Sequence, residues 1–355
     1  MPSIFDALMI NKLRLPNRFV RSATYDNLAD HGMVTDAQIK LYETLSQGGI
    51  GLIISGGLYP TKNGMGGSGQ LSVENDEAVA SLAKLVDVVH ANGAKIAGQI
   101  LHCGFKCQEE VIGTQPVGPS AIIDPESGTP VRSLSNDELY EMVEAFVQAA
   151  RRIKEAGFDA VQLHGAHGWF LSAFLSPVMN KREDEWGGNT ENRARFLRLI
   201  CEGIRNVTGP NYPLLIKLGL KDYHPQGKSL AEGIAVAKIL EHAGVDAIEV
   251  SEGIEEKWGH HIRKDAVHPY YVEDCRQARK TLSKPLILVG GMRNLREMQA
   301  VLDENVADAI SLCRPFIQDP HLVKGLNNKS IVSSSCNSCN DCGELMIQGQ
   351  FGCPH

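Results

Sequence analysis

Eight short apolar runs alternate along the chain with longer amphipathic segments, and this alternation limits the choice of fold more than any other feature. The runs are Phe19–Thr24, Gly51–Ser55, Ile96–Leu101, Ala160–Leu163, Leu214–Leu218, Ala247–Val250, Leu286–Val289 and Ala309–Leu312. The helix-like segments include Glu77–Ala91, Asn136–Ala156, Glu191–Val207, Ala231–Ala243 and Leu295–Leu302. Eight strand–helix alternations, with no glycine-rich dinucleotide fingerprint after the first run, predict an α/β fold of the (β/α)8 TIM-barrel class.

Two local signals refine this fold. The segment from Ile10 to Leu15 predicts a hairpin with its turn at Asn11 and Lys12, and we expect it to close the barrel floor. Ser135 followed by Glu138 has the spacing of a capping box, which predicts that a helix begins directly after the serine.

Length and charge bound the class of protein. The 355 residues suit one barrel, residues 1–330, followed by a short cysteine-rich tail, residues 331–355. A net charge of −7 with no Lys/Arg cluster argues against a nucleic-acid partner. No apolar run approaches the roughly 20 residues that span a bilayer, and the N-terminus lacks the features of a signal peptide. We therefore expect a cytoplasmic protein with no membrane contact.

The stretch from residue 161 to residue 196 carries the densest set of chemically active side chains. It begins in a predicted strand, ends in a predicted helix, and contains HGAHGWFLSAFLSPVMNKREDEWGGNTENRARF. Loops of this length are usually functional or disordered, and this one is too rich in aromatic residues for disorder.

His164 and His167 lie three residues apart, just past the end of the fourth predicted strand. A turn there can direct both imidazoles into one cavity, where two neutral rings can donate hydrogen bonds to a single substrate oxygen. Two alternatives are a purely structural pair and a metal site. The metal site is the weaker one because no third ligand lies nearby in the sequence.

The ends of the other strands predict a ligand pocket, because chemistry in TIM barrels gathers at the C-terminal rim. Ser22, Ala23 and Thr24 after the first strand are small, and Gly57 after the second also permits close approach to the backbone. Gly290 and Gly291 after the seventh strand and Arg314 after the eighth have the arrangement of a barrel phosphate site, which implies a phosphorylated ligand.

Lys217 lies inside an apolar strand, where a cation is costly unless it is paired. It is predicted either to contact a ligand or to form an ion pair inside the barrel. The long loop after the sixth strand contains Trp258, His260 and His261, and it is predicted to be a substrate-facing lid.

Four cysteines crowd the end of the sequence as Cys336-x2-Cys339-x2-Cys342-x10-Cys353. Thiolates at this spacing suit an iron–sulfur cluster or tetrahedral zinc, and unmetallated cysteines are the third alternative. A disulfide set is less expected in a cytosolic protein.

The stretch that begins at His164 resembles the signature of the Old Yellow Enzyme family of FMN-dependent ene-reductases, and similar segments run from about Phe5 to Pro320. The resemblance implies that His164 and His167 hold the activating oxygen of the substrate. It also implies that Gln99 contacts the flavin pyrimidine edge and that Lys217 is the cation beside flavin N1 and O2. The remaining flavin-contacting positions that it implies are Ser22, Ala23, Thr24, Tyr25, Gly57, Gly290, Gly291, Met292, Cys313 and Arg314.

One position departs from the family pattern. Where relatives usually have a tyrosine that protonates the substrate carbon, this chain has Trp169, and an indole N–H is not a useful acid. Tyr25 is predicted either to replace this donor or to form part of the pocket wall.

The tail resembles that of 2,4-dienoyl-CoA reductase and trimethylamine dehydrogenase, in which a similar cysteine run holds a [4Fe-4S] cluster. The last gap is slightly shorter here, and the reductase domains of those enzymes do not follow in this sequence. We therefore expect a cluster either to require an external electron-transfer partner or to be a relic. The resemblance also implies a homo-oligomer.

Together these features predict an FMN-dependent oxidoreductase that uses NAD(P)H to reduce a small activated alkene by hydride transfer from flavin N5. Protonation would come from Tyr25, from water or from the substrate itself. One alternative is an amine or C–H dehydrogenase that passes electrons from FMN to a tail [4Fe-4S] cluster. Another is a catalytically weakened flavoprotein subunit for electron transfer.

Overall fold

The computed structural model describes residues 2–124, 127–255 and 263–355, so Trp258, His260 and His261 of the predicted lid lie outside the described residues. The strands are β1 (Leu8–Ile10), β2 (Leu13–Leu15), β3 (Phe19–Arg21), β4 (Leu52–Leu58), β5 (Lys95–Ile100), β6 (Val117–Gly118), β7 (Ile122–Ile123), β8 (Pro130–Ser133), β9 (Ala160–Gly165), β10 (Leu214–Gly219), β11 (Ala247–Ser251), β12 (Leu286–Val289) and β13 (Ala309–Leu312). The α-helices are α1 (Asp36–Gln47), α2 (Glu77–Ala91), α3 (Glu109–Ile112), α4 (Asn136–Glu155), α5 (Phe170–Leu175), α6 (Thr190–Thr208), α7 (Leu230–His242), α8 (Val272–Arg279), α9 (Leu295–Asp303), α10 (Arg314–Gln318), α11 (Leu322–Asn327) and α12 (Asp341–Ile347).

Eight parallel strands close into a barrel in the order β3, β4, β5, β9, β10, β11, β12 and β13, with β13 pairing back onto β3. Each of the eight predicted runs supplies one of these strands, so the predicted TIM barrel is confirmed. The register places Lys217 of β10 beside His164 of β9 on one side and Glu249 of β11 on the other. The pairing of the strands therefore brings together three ionisable side chains that lie far apart in the sequence.

The floor of the barrel is closed by the β1–β2 hairpin, as predicted. Asn11 takes a positive φ of 53° at the turn, a conformation that asparagine tolerates better than most residues. The apolar side chains of the hairpin pack into one cluster with small residues on the barrel strands, namely Ala97, Ala160, Ala247 and Ala309. These alanines leave the space that the hairpin leucines and isoleucine fill.

Three aspartates in equivalent positions fix the N-terminal ends of alternate barrel strands. Asp159, Asp246 and Asp308 each lie directly before an alanine that begins a strand. Their Oδ2 atoms accept hydrogen bonds from Ile96 N, Leu214 N and Leu286 N, at 2.9, 3.0 and 2.8 Å respectively. The main-chain N–H of each aspartate in turn donates to the carbonyl of the same neighbouring residue. These hydrogen bonds therefore join the start of β9 to β5, that of β11 to β10 and that of β13 to β12.

The helices surround the barrel, and several begin with a side-chain cap. The capping box predicted at Ser135 and Glu138 is present at the start of α4, and α1 and α7 begin in the same way at Thr35 and Ser229. In the part of the chain that the structure describes, no helix is both long enough and apolar enough to cross a membrane.

We expect the substitution Asp246→Ala to lower the free energy of unfolding by about 2–4 kcal/mol, because it leaves the buried Leu214 N–H without its acceptor and removes the carboxylate that pairs with Arg205. Asp246 is 8% exposed and also accepts a hydrogen bond from Arg205 Nη2 at 2.8 Å. Urea unfolding of the two proteins gives the measurement. The control is Asp303→Ala on the exposed end of α9, which should leave stability unchanged. Equal loss in both variants would contradict the role given to the strand-start aspartates.

Candidate active site

A cavity of about 830 Å³ opens at the C-terminal rim of the barrel, within the size range of small-molecule sites. The predicted site residues that line it are Ser22, Ala23, Thr24, Tyr25, Gly57, Gln99, His164, His167, Trp169, Lys217, Gly290, Gly291, Cys313 and Arg314. Met292 is the exception, because its side chain is fully buried in the hydrophobic core rather than on the cavity. The two preceding glycines take positive φ angles, and the chain turns there.

A buried polar network forms the floor of this cavity. Glu249 has no exposed surface and accepts hydrogen bonds from Ser22 Oγ and Ser311 Oγ, both at 2.7 Å. Lys217 Nζ lies 3.2 Å from the same carboxylate and donates to Ser22 Oγ at 2.6 Å. Burial alone would raise the pKa of Glu249, but the Lys217 ammonium and the hydrogen bonds lower it below its usual value. The ion pair foreseen as one alternative for Lys217 is therefore present, and the ammonium also faces the cavity.

The same network orients Gln99. Gln162 Nε2 donates to Glu249 Oε2 at 3.0 Å, and Gln99 Nε2 donates to Gln162 Oε1 at 2.6 Å. The amide of Gln99 is thus fixed through one intermediate side chain by a buried negative charge. Sequence reasoning missed Gln162, Glu249 and Ser311, although each is a polar residue inside an apolar strand, the same signal that pointed to Lys217.

His164 and His167 are brought together on the cavity wall. His164 lies near the end of β9 and is 5% exposed. His167 follows with a φ of 60°, and the two ring centroids are 5.1 Å apart at an interplanar angle of 64°. Ser251 Oγ lies 2.7 Å from His167 Nε2, so one ring nitrogen of His167 has a fixed partner.

Trp169 and Tyr25 occupy different parts of the cavity. Trp169 packs against the apolar cluster that contains Cys103 and Cys107. Tyr25 lies at the mouth, 42% exposed, and its hydroxyl donates to Asn27 Oδ1 at 2.8 Å. Partial burial and the neighbouring Asp26 raise the pKa of Tyr25 to about 12.

Side chains and backbone are closely packed at the end of the cavity where a phosphate is predicted to bind. Gly290 and Gly291 have φ angles of 105° and 76°, and a Cβ atom on Gly290 would lie 2.4 Å from the ring of Tyr270. These two positions therefore require glycine both for backbone conformation and for packing. Arg314 Nη1 donates to Asn340 Oδ1 at 2.6 Å and to Ser338 O at 3.3 Å, which ties this cation to the tail.

Residues of the tail form part of the cavity wall. Arg293, which sequence reasoning missed, donates from Nε to Cys336 O at 2.7 Å, and its own carbonyl accepts Ser334 N at 2.9 Å. At the other edge, Asn27 Nδ2 donates to Met346 O at 2.9 Å. No motif marks Arg293, because its role depends on where the tail packs.

The four tail cysteines line one smaller cavity of about 210 Å³, together with Arg314 and His355. Cys342 and Arg314 line both cavities. Burial, with Cys313 and Cys336 nearby, raises the pKa of Cys342 to about 11. Four sulfur donors around one cavity are the ligand type that an iron–sulfur cluster takes. Potential ligand atoms of Cys339, Asp341 and His355 also lie within 4.8 Å of one another, a set that would suit a single ion.

The model of the NADH:flavin oxidoreductase / NADH oxidase family matches residues 3–330 of this sequence. The chain belongs to this family. A NADH oxidase of Thermoanaerobacter brockii is 34% identical over 346 residues, which cover 96% of this chain and 53% of that protein. The family match supports FMN as the cofactor and NAD(P)H as the reductant.

Solved structures of this family extend the comparison. A 2-naphthoyl-CoA reductase complex superposes with a TM-score of 0.92 at 29% identity, over 99% of this chain and 56% of that one. An Old Yellow Enzyme homologue from Zymomonas mobilis superposes with a TM-score of 0.82 at 26% identity, over 99% and 98% of the two chains. The resemblance to the Old Yellow Enzyme family is confirmed. The chain spans about half the length of the first two relatives, and the tail cluster stays a prediction.

We expect Arg293→Ala to loosen the tail, because this guanidinium also donates to Met292 O and Ser338 Oγ and so joins strand-end and tail residues. Limited proteolysis should cut within residues 331–345 faster than in the parent protein, while the barrel stays intact. The matched control is Arg296→Ala, three residues along and exposed. A parent-like cleavage rate in Arg293→Ala would show that other contacts hold the tail.

Proposed function

We propose that this protein is an FMN-dependent oxidoreductase that uses NAD(P)H to reduce a small activated alkene of the enone type. The observation that carries the proposal is the placement of His164 and His167 on the same cavity as Gln99 and Lys217. FMN, when bound, would supply the hydride-transfer chemistry between NAD(P)H and the β-carbon of the substrate. The family match supports the flavin and its reductant.

The cavity fits a flat phosphorylated cofactor. Gln99 and Lys217 present a polar, positively charged floor, which suits the heteroatom edge of a flavin where negative charge collects on reduction. Small residues at Ser22, Ala23, Thr24 and Gly57 permit a planar ring to approach the backbone. Gly290, Gly291 and Arg314 would hold the phosphate, with Cys313 beside them. Thr24 Oγ1 lies 3.3 Å from Cys313 Sγ, so these two wall residues support each other.

The two histidines would hold the electron-withdrawing oxygen of the substrate. Each neutral imidazole offers one N–H donor, and two donors on one oxygen stabilise the enolate charge that develops there. Ser251 Oγ lies within hydrogen-bond distance of His167 Nε2, and this contact restrains the orientation of the ring.

The source of the proton differs from the family pattern. Trp169 lies in the wall and offers no useful acid. The Tyr25 hydroxyl is at the cavity mouth and already donates to Asn27, which favours its role as a wall residue over its role as a donor.

A second candidate is an amine or C–H dehydrogenase that passes electrons from FMN to a [4Fe-4S] cluster and then to an electron-transfer partner. It is favoured by the convergence of Cys336, Cys339, Cys342 and Cys353 on one cavity that shares Cys342 with the larger one. Cys342 would then be a cluster ligand that also lies in the wall of the larger cavity.

An anaerobic absorption titration tests both candidates. The protein is purified without oxygen, and its spectrum and iron content are recorded before and after addition of NADH or NADPH, then after 2-cyclohexenone. Flavin bands that bleach with the nucleotide and return with the enone support alkene reduction. Flavin that bleaches with an amine but not with NAD(P)H, together with about four iron atoms per chain, supports the dehydrogenase. Protein without flavin would contradict both.

We expect Lys217→Met to slow flavin reduction, or to weaken FMN binding, by about 10- to 100-fold, because it removes the one cation on the cavity floor among the described residues. Stopped-flow absorbance and fluorescence titration with FMN give the two quantities. Lys95→Met is the control, since Lys95 lies at the opposite end of β5 and pairs with Asp159. Normal affinity and normal reduction in Lys217→Met would overturn the assignment.

We expect His164→Ala to weaken binding of a phenol or an enone by about 10-fold or more without releasing FMN, because it removes one of two donors to the same oxygen. Titration of the flavin absorbance with the ligand measures the affinity. The control His90→Ala removes a half-exposed histidine paired with Asp159. Unchanged ligand binding in His164→Ala would indicate that His164 and His167 have a structural role.

A further inference from the structure

The short helix α12 (Asp341–Ile347) forms one side of the cavity and is attached to the barrel at both ends. Asn340, directly before the helix, accepts a hydrogen bond at Oδ1 from Arg314 Nη1 at 2.6 Å. In the last turn, the carbonyl of Met346 accepts a hydrogen bond from Asn27 Nδ2 at 2.9 Å. A helix of this length extends about 10 Å. It therefore reaches from Arg314, at the predicted phosphate end, to the cavity mouth.

The last turn of α12 exposes apolar side chains at this mouth. Ile347 lines the cavity and is 85% exposed, and Met346 beside it is half-buried. Tyr25 lies at the same edge, because its hydroxyl donates to Asn27, which in turn donates to Met346. Among the strongly exposed large apolar residues that the structure describes, Ile347 and Tyr25 are the two that line this cavity. A bound molecule therefore has apolar surface to cover there.

A second apolar surface lies beside the histidine pair. Leu101, Cys103 and Trp169 line the cavity and belong to one apolar cluster. Trp169 follows His167 by two residues, so this surface begins where the activating oxygen of a substrate is proposed to bind. A molecule held by the histidines thus has apolar side chains next to it on the barrel, and it has the apolar end of α12 at the mouth.

The charged groups around the cavity limit the charge of its ligand. Lys217 pairs with Glu249 on the floor, and Arg293 and Arg314 are both hydrogen-bonded to the tail. Glu344, the remaining charged side chain of the cavity wall among the described residues, is exposed and lies one turn before Ile347. The charge that α12 adds to this wall is therefore negative, which disfavours an anionic group beside it.

We propose that α12 is the outer wall of the substrate site and selects neutral substrates with an apolar group beyond the activated alkene. The inference rests on the alkene reduction proposed above and names its substrate class, an enone or enal that carries an aryl or alkyl substituent. Ile347 and Met346 contact this substituent at the mouth, and Leu101 and Trp169 contact it on the barrel. The occupant is a small molecule because both apolar surfaces line one cavity with the histidines.

The first test measures binding and does not depend on turnover. The flavin absorbance of the oxidised holoenzyme is titrated with phenol and with 4-phenylphenol, which differ by one apolar ring. We expect the parent protein to bind 4-phenylphenol at least about 10-fold more tightly. In Ile347→Ser this preference should fall by about 5- to 10-fold, the effect of losing roughly 50 Å² of apolar contact. No preference in the parent, or the full preference in Ile347→Ser, would overturn the proposal.

The matched control is Val332→Ser. Val332 is also an exposed β-branched residue of the tail, at 69%, but it does not line the cavity, so this variant should keep the preference of the parent. An equal loss in both variants would show that tail changes act indirectly, and the proposal would fail. Sedimentation velocity adds a second check. If the parent is a dimer that Ile347→Ser dissociates, α12 belongs to an interface between copies of the chain, and the proposal is likewise overturned.

The charge of the wall has its own test. The titration is repeated with 4-hydroxybenzoate, which carries a carboxylate where 4-phenylphenol carries its second ring. The parent should bind this anion more weakly than phenol, and Glu344→Gln should recover about 2- to 3-fold of the affinity at low ionic strength but not at high salt. An anion that binds the parent more tightly than phenol would overturn the selection of neutral substrates.

The last test separates the role of α12 from the proposed function. Steady-state reduction of trans-cinnamaldehyde and of 2-cyclohexenone is compared in the parent and in Ile347→Ser. We expect the loss in the variant to appear in KM for the aryl substrate, because the contact contributes to binding alone. If the parent reduces neither compound but the phenol preference responds as described, the proposed function fails and the role of α12 stands. If the parent reduces both and the variant has the same KM values, the role of α12 fails and the proposed function stands.

Discussion

The buried charge of Glu249 is the interaction on which the rest of the site depends. A carboxylate with no access to water is costly unless it is paired and hydrogen-bonded, and here Ser22, Ser311, Gln162 and Lys217 supply those contacts. Three of these partners lie in β9, β10 and β13, and Ser22 lies directly after β3. The requirement to satisfy one anion therefore fixes the relative heights of β3, β9, β10 and β13 at the cavity floor.

The N-terminal end of the barrel is closed, whereas the C-terminal end is open. At the N-terminal end, the hairpin and the strand-start aspartates seal the interior with apolar packing and short hydrogen bonds. At the C-terminal end, β9, β10 and β11 stop at glycine or serine, and the cavity is left open. Stability is thus concentrated away from the chemistry, so the loops that line the cavity can carry strained residues such as His167.

What the sequence revealed depends on how local each signal is. The eight barrel strands, the hairpin turn at Asn11 and the cap at Ser135 follow from neighbouring residues, and all were predicted. The cysteine spacing likewise predicted a shared site. Arg293 could not be predicted in the same way, because its partners lie in the tail and no local pattern fixes that packing. Glu249 was missed although it is a polar residue inside an apolar strand, the same signal that pointed to Lys217. Met292 was named as a flavin-contacting position from the family resemblance, but its side chain is buried in the core after the two glycines of positive φ.

The shared wall between the two cavities has an energetic consequence. Because residues 340 to 347 contribute to the surface that a cofactor would contact, a ligand in the larger cavity binds fully only when the tail is docked. Occupancy then favours docking by the same free energy by which docking strengthens binding, as thermodynamic linkage requires. Cofactor binding and assembly of the cysteine site would thus be thermodynamically coupled.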